Sequence, residues 1–162
     1  MTHLAELNLA KFKYPLSDQR MADFVNNRDR VNALAERSPG FVWRLKGEGS
    51  NNATDLRVGD DYAVNMSVWT DVKSLENYVF KTVHAQIYKR GAEFFQKSDK
   101  PHMVFWPVEE GHEPTLTEAW SRLQDLKTNG PSNRSLGRVE CMEIARLRES
   151  VLCKGQNVRY RG

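Results

Sequence analysis

The stretch GFVWRL, residues 40–45, decides the fold of this chain. After its glycine it places four large apolar residues and one arginine in consecutive positions. Successive side chains of a β-strand point to opposite faces of the sheet, so this strand has apolar side chains on both faces. The sheet that contains it must therefore be covered on both sides.

Hydrophobic periodicity on either side of this stretch predicts the remaining elements. Strand patterns cover residues 3–12, 40–45, 60–70 and 102–110, and helical patterns cover residues 17–38, 71–97 and 115–130. This order is the split βαβ arrangement of the α+β, ferredoxin-like fold, in which a four-stranded antiparallel sheet has helices on one face. A partner sheet would close the helix-free face, which predicts a dimeric α/β barrel with an extra C-terminal helix and a cleft between the subunits.

Size and composition indicate one ordinary domain. With 162 residues, 40% of them hydrophobic, the chain can bury a core without metals or disulfides. We predict a barrel domain over residues 1–133 and an atypical basic tail over residues 134–162. No stretch is long and apolar enough for a membrane span and the start is unlike a secretory signal, so we expect a cytoplasmic protein. Cys141 and Cys153 are then expected to be free thiols.

The net charge of +3 is concentrated in the tail. Residues 134–162 hold seven of the 24 basic residues and three of the 21 acidic ones, so the preceding chain is close to neutral. Specific nucleic-acid binders carry a clustered basic patch on the folded domain. The charge distribution therefore argues against a nucleic-acid partner and favours a solvated tail.

Several catalytic motifs are absent from the sequence. The glycines at 40, 47 and 49 match neither the GxGxxG nor the Walker spacing, and no HExxH or GxSxG motif occurs. These absences argue against a nucleotide-driven enzyme, a zinc enzyme or a serine hydrolase. They leave an acid/base or oxygenase reaction without a cofactor or metal, or no reaction at all.

Polar side chains alternate with large aromatic ones on the strands of the predicted helix-free face. We predict that the cleft there is lined by Asn8, Trp43, Asn65, Ser67, Trp69 and Trp106, with Glu6 as a further possible member. Rings supply stacking area and amides orient a ligand, which suits a small apolar or aromatic molecule. Alternatively, the polar groups only hydrogen-bond one another across the sheet, as buried polar groups must.

Trp43 and Arg44 are neighbours and must point to opposite faces. If Arg44 points into the cleft, it can hold a carboxylate through two parallel hydrogen bonds. If Trp43 does, Arg44 pairs with an acidic residue at the sheet edge. We favour Trp43 at the cleft wall.

Three stretches together resemble a bacterial family known as domain-of-unknown-function family number 3291: NALAERSPGFVWRL, VNMSVWTDVKSLENYVFKTVHAQIYKRGAEFF and VFWPVEEGHEPTLTEAWSRLQDLKTNGP. The resemblance covers residues 3–133. That family is similar to the dimeric α/β barrel superfamily of cofactor-independent monooxygenases, haem-degrading enzymes and cyclases, which implies a homodimer with its active site in the enclosed cleft. After Asn133 the chain departs from the family, and one hypothesis is that the reading frame ends in the recombination site of a mobile gene cassette.

His84 matches a histidine that recurs in the family and lies on an aromatic helical stripe with Tyr88 and Phe95. Three roles are open for it: a packed histidine satisfied by a hydrogen-bond acceptor, a general base or ligand-orienting group, and a haem ligand. His112 also matches the family, but its position in a loop before a helix indicates a structural role.

These observations together predict an uncharacterised protein that binds a small ligand, with a cofactor-independent monooxygenase-like or cyclase-like activity in which His84 is catalytic. The alternative is a non-catalytic module for ligand binding or structural dimerisation.

Overall fold

The computed structural model describes residues 1–47, 52 and 61–143. Its elements follow the predicted order, with the second helical region divided into three helices. They are β1 (Thr2–Lys11), α1 (Ala22–Glu36), β2 (Phe41–Arg44), β3 (Tyr62–Trp69), α2 (Val72–Lys81), α3 (His84–Lys89), α4 (Gly91–Phe94), β4 (Met103–Glu109) and α5 (Leu116–Asn129). A short 3-10 turn, Gln19–Met21, precedes α1.

The four strands form one antiparallel sheet in the order β2-β3-β1-β4. The first strand lies in the middle and pairs with β3 on one side and with β4 on the other. Non-consecutive strands are thus neighbours, as the split βαβ arrangement requires. The predicted ferredoxin-like fold is confirmed.

One face of the sheet carries α1 and α2. Leu4, Trp69 and Phe105 of the sheet form a buried cluster there with Ala35 of α1 and with residues of α2. The second of these helices begins after Asp71, whose side-chain Oδ1 accepts a hydrogen bond from the Ser74 amide at 2.8 Å. This N-cap satisfies an amide that has no partner within the helix, and so fixes where α2 starts.

The opposite face is covered by α5. Ala119 and Leu123 of this helix are fully buried against side chains of β1, β3 and β4. The Thr115 side chain accepts a hydrogen bond from the Glu118 amide at 3.1 Å, which confirms the N-terminal cap of this helix. The sequence predicts one face of the sheet without helices. That prediction is wrong for the part of the sheet under α5, because this C-terminal helix of the same chain packs on the face opposite α1 and α2.

A β-bulge explains the stretch GFVWRL. Phe41 is paired with Trp69, whereas Trp43 is paired with Val68, so Val42 is an extra residue in β2 and is 38% exposed. A bulge of this kind reverses the alternation of faces along the strand. Phe41 and Arg44 consequently lie on the face of α1 and α2, and Trp43 lies on the face of α5.

Gly40, immediately before this strand, has a φ of +80°. A Cβ at this position would overlap the side chains of Ser74 and Thr70. The glycine is therefore required both by the backbone conformation and by the close approach of the N-terminus of α2.

The chain continues to pack onto the sheet beyond the predicted boundary after residue 133. Leu136 exchanges two backbone hydrogen bonds with Phe105, at 2.8 and 2.9 Å, and Cys141 is buried as a free thiol in the cluster beneath α1 and α2. A helical turn covers residues 138–143. Cys153 lies outside the described residues.

Within the described ranges, no helix has both the length and the apolar composition that crossing a bilayer demands.

Candidate functional site

A deep crevice lies at the end of the sheet where β1 finishes and β3 and β4 begin. Its volume is about 1290 Å³, and its walls come from the sheet, α1, α3, α5 and residues 95–103 and 137–140. A smaller recess of about 70 Å³ lies under α1 and α2. Asn8, Asn65 and His84 are among the residues that line both spaces, so the crevice and this inner recess meet beside them.

Two asparagines face each other at this junction, because Asn8 of β1 is the direct cross-strand partner of Asn65 of β3. The side-chain oxygen of Asn8 is buried and has no hydrogen-bond partner in the structure as described. A buried acceptor without a donor costs about 1–3 kcal/mol, so such groups are uncommon unless something else satisfies them. A ligand hydroxyl in the crevice would do so.

A chain of hydrogen bonds lines the inner recess. The indole Nε1 of Trp69 donates to Ser67 Oγ at 2.9 Å, and Ser67 Oγ donates to Glu6 Oε1 at 2.9 Å. Glu6 is only 5% exposed. Burial raises the pKa of Glu6 to about 7, although the hydrogen bond from Ser67 acts in the opposite direction. The recess therefore contains a carboxyl group that is largely protonated just below neutral pH.

Aromatic rings form one wall of the recess. Tyr78 stacks on Trp69 with ring centroids 5.1 Å apart, and the His84 ring lies 4.8 Å from Tyr78 and 6.2 Å from Tyr88. The rings come from β3, α2 and α3, so the wall runs from the closed end of the recess to the crevice. Such a surface supplies stacking area for a planar ligand.

His84 is the first residue of α3, and its backbone amide donates to Thr82 Oγ1 at 3.1 Å. Its Nδ1 lies 3.3 Å from the carbonyl oxygen of Val79. Because a carbonyl can only accept, Nδ1 carries the proton and Nε2 keeps its lone pair. Burial lowers the pKa of His84, and the carbonyl only partly offsets this effect, so the imidazole is neutral near pH 7.

Two of the roles that the sequence leaves open for His84 are compatible with its surroundings. The ring is packed between two tyrosines with its Nδ1 near a backbone carbonyl, and the residue also lines the crevice. The same Nε2 is the atom through which it would ligate haem iron, the third predicted role. Among the described residues, no three histidine, cysteine, aspartate or glutamate side chains are grouped so as to hold a metal ion.

Arg44 is buried on the crevice side of the sheet, with 6% exposure. Its Nε donates to Glu36 Oε1 at 2.9 Å. Arg44 thus meets an acidic residue, but Arg44 and not Trp43 lines the crevice, so the favoured placement of Trp43 at the cleft wall is wrong. Arg44 also lines the crevice and the recess, so its positive charge contributes to the field inside them.

The six predicted lining residues do not share a helix-free face: four lie on the face that α1 and α2 cover, so the predicted face is wrong for them, and two lie on the opposite face. Asn8, Asn65, Ser67 and Trp69 line the recess or the crevice, whereas Trp43 and Trp106 lie on the face of α5. For Trp106 the reason is the strand register, because Trp106 is paired with Ala5 and not with Glu6. A shift of one residue reverses the face of every side chain on a strand.

Trp106 belongs to a hydrogen-bond network that joins β4 to α5. It is fully buried, and its Nε1 donates to Glu118 Oε1 at 2.9 Å. The other oxygen of Glu118 lies 2.8 Å from His112 Nε2. This network holds the loop after β4 to the first turn of α5, which agrees with the structural role predicted for His112.

Sequence reasoning gave little weight to Glu6 and did not single out Tyr78. The signal for Glu6 was its position two residues before Asn8 on the same face of β1. Tyr78 is marked only by its helical spacing from other apolar residues, which is equally typical of a core residue.

A family model described as Domain of unknown function (DUF3291) matches residues 3–146. No curated protein matches the chain. Similar solved structures include SnoaB, a cofactor-independent oxygenase from Streptomyces nogalater, at 18% identity over 73% of this chain and 100% of that one, with a TM-score of 0.44. NE2512, a protein of unknown function from Nitrosomonas europaea, is 16% identical over 71% of this chain and 95% of that one, with a TM-score of 0.45. A candidate antibiotic biosynthesis monooxygenase from Nitrosomonas europaea is 12% identical over 70% and 94% of the two chains, with a TM-score of 0.42.

Proposed function

The chain belongs to the DUF3291 family, and from this premise we propose that it binds a small aromatic ligand beside Asn8, Asn65 and His84 and acts on it in a cofactor-independent, monooxygenase-like reaction. The observation that carries the proposal is the meeting of an unsatisfied amide oxygen and a neutral imidazole at the junction of a crevice and a recess. The crevice, at about 1290 Å³, is large enough for a molecule of several rings.

Each residue has a defined part in the proposed reaction. The amides of Asn8 and Asn65 orient an oxygen of the ligand, and the ring of Tyr88 packs against its aromatic system. His84 Nε2 takes a proton from a phenol or an activated carbon acid. The resulting electron-rich anion reacts with dioxygen as co-substrate: one oxygen atom enters the ligand, and the other leaves as water with the two hydrogens that the ligand loses.

The test compares His84→Ala with His112→Ala in two assays. Equilibrium binding of an aromatic probe follows quenching of tryptophan fluorescence, and turnover follows oxygen uptake with a panel of phenols and aromatic ketones. The proposal expects His84→Ala to abolish oxygen uptake while the melting temperature stays close to that of the parent. His112 lies outside the crevice and the recess, so its variant controls for the loss of an imidazole.

Two results would contradict the enzymatic proposal in different ways. Unfolding of His84→Ala would identify His84 as a core residue, and undiminished oxygen uptake in that variant would exclude it as the base. A parent protein that binds the probe without oxygen uptake would favour the second candidate function, a ligand-binding module without turnover. The packing of His84 between Tyr78 and Tyr88 is the observation that favours this second function.

The homodimer also belongs to the proposal. Val42 on the edge strand β2 is 38% exposed beside the half-buried Trp43, which leaves apolar surface at this edge of the sheet. Sedimentation equilibrium of the 18.7 kDa chain measures the assembly directly. A mass of one chain at micromolar concentration would exclude the dimer and the structural dimerisation module with it.

A further inference from the structure

We propose that Glu6 recognises the ligand: as a neutral carboxylic acid at the closed end of the recess, it donates a hydrogen bond to a carbonyl oxygen of the bound molecule. This inference rests on the proposed binding function and adds to it the chemical group that the recess selects.

The geometry of the Glu6 carboxyl leaves one oxygen for a ligand. Ser67 Oγ donates to Oε1, and among the described residues this is the one hydrogen bond that reaches the carboxyl group. The side chain lines the recess, so the proton of the neutral acid can be carried on Oε2. A neutral acid with one accepting and one donating oxygen satisfies Ser67 and presents an O–H to the recess.

Glu6 also has no cationic partner within the described part of the chain. Arg44, the nearest candidate on β2, directs its Nε to Glu36 of α1. A buried carboxylate without a paired cation is strongly disfavoured relative to the neutral acid. The surroundings therefore keep Glu6 protonated, as a hydrogen-bond donor must be.

Three other titratable groups around Glu6 have pKa values that are displaced away from the range between pH 7 and pH 8. Burial and the Glu6 charge raise the pKa of Tyr78, on α2, while the Arg44 charge lowers it, and burial raises the pKa of Cys141, in the helical turn over residues 138–143, to about 12. Glu76 of α2 and Glu140 add negative charge near Cys141, and burial lowers the pKa of His84 on α3. Ionisation near pH 7 in the recess is therefore assigned to Glu6, whose pKa is about 7.

The size of the recess limits what can reach Glu6. Its volume of about 70 Å³ is about half that of a cavity that holds one benzene ring, about 150 Å³, so the recess admits a carbonyl group and not a whole ring. The ring system then stays in the crevice, near Tyr88 and His84. An aromatic ketone or quinone fits this division, with its carbonyl oxygen directed to Glu6.

A matched pair of probes tests the inference: fluorenone carries the carbonyl oxygen, and fluorene lacks it. Tryptophan quenching gives the dissociation constant of each probe from pH 6 to pH 8.5. With a pKa of about 7 and binding to the neutral acid alone, fluorenone is expected to bind about 30-fold more weakly at pH 8.5 than at pH 6. Fluorene is expected to show no such dependence.

Three variants separate hydrogen-bond donation from a structural role. Glu6→Gln keeps an acceptor for Ser67 and a donor that does not titrate, so fluorenone affinity should become independent of pH. Glu6→Met has no donor and should bind fluorenone weakly at every pH, with fluorene unaffected. Glu109→Gln, an exposed position on β4, removes the same charge away from the crevice and should behave as the parent.

The outcomes distinguish this inference from the proposed function. If both probes bind and fluorenone affinity does not vary with pH, the role of Glu6 is refuted and the binding function stands. A pH dependence that persists in Glu6→Gln also refutes it, because another group must then be titrating. If neither probe binds at any pH, the binding function and the inference fail together.

Discussion

Replacing Glu6 by glutamine should make the protein's stability less sensitive to pH. The variant keeps the length of the side chain and the acceptor for Ser67 Oγ, and it removes the carboxyl group whose pKa burial raises to about 7. The comparison therefore isolates the cost of ionising a buried carboxyl group.

The magnitude follows from the pKa of Glu6, which burial raises from 4.5 to about 7. Between these values the folded protein retains a proton that the unfolded chain has released. Unfolding then releases a proton, so rising pH favours unfolding. At about 1.36 kcal/mol per pKa unit, the parent should lose about 3 kcal/mol of unfolding free energy between about pH 4 and pH 8 that Glu6→Gln does not lose.

Urea unfolding at closely spaced pH values measures this difference. The quantity of interest is the unfolding free energy of Glu6→Gln minus that of the parent, which should rise by about 3 kcal/mol across the range and then level off. Other groups contribute equally to both proteins and cancel. His84 is one of them: burial lowers its pKa, so by itself it makes stability rise with pH up to about 6.5.

A difference that stays constant from pH 4 to pH 8 would refute the reasoning, because it would mean that Glu6 has the same pKa in the folded and unfolded states. If the difference in unfolding free energy decreased as the pH rises, the Glu6 carboxylate would have to be stabilised in the folded protein, which would require a cation near it. Glu109→Gln, at an exposed position on β4 outside the crevice and the recess, is the control for replacing a glutamate by glutamine.

Three further predictions concern the packing around the site. Ser67→Ala should cost about 3 kcal/mol in urea unfolding, because it leaves both the Trp69 indole N–H and the Glu6 carboxyl without their partner; adding Trp69→Phe should recover part of that cost. Trp106→Phe should lower stability by about 1–2 kcal/mol without changing the affinity for fluorenone, whereas Trp69→Phe should weaken fluorenone binding. Equal effects of the two variants on fluorenone affinity would contradict their placement on opposite faces of the sheet. Gly40→Ala should destabilise by more than Gly130→Ala, for which about 1–3 kcal/mol is expected, because both have a positive φ but only at Gly40 of these two does a Cβ overlap neighbouring side chains. Equal losses in thermal melts would show that the overlap is relieved.

The elements and their order could be predicted because each carries a clear period. Alternation marks β1 and β3, and the spacing of Leu75 and Val79 marks α2. Residues that cap helices also mark where a helix begins, as Thr115 does at the start of α5. These signals are local, so one sequence is sufficient to detect them.

The faces of the sheet depended on information that is not local. The bulge at Val42 reverses Trp43, and the pairing of Trp106 with Ala5 is set by how β4 lies against β1. Strands β2 and β4 have large apolar side chains on both faces, so the hydrophobic pattern does not show which face Trp43 or Trp106 occupies. The position of α5 over the sheet is also a matter of tertiary packing, which the helical pattern of residues 115–130 does not specify.

The polar groups at the junction argue for a ligand over a purely structural role. The unsatisfied oxygen of Asn8 and the ionisation of the buried Glu6 carboxyl each lower stability, by amounts on the order of 1–3 kcal/mol. Apolar residues at both positions would remove these costs and leave the sheet with two dry faces, as a dimerisation module would need. Asn8 and Glu6 line the same connected crevice and recess as the neutral imidazole of His84. Destabilising polar groups that are collected in one cavity are typical of a substrate-binding site.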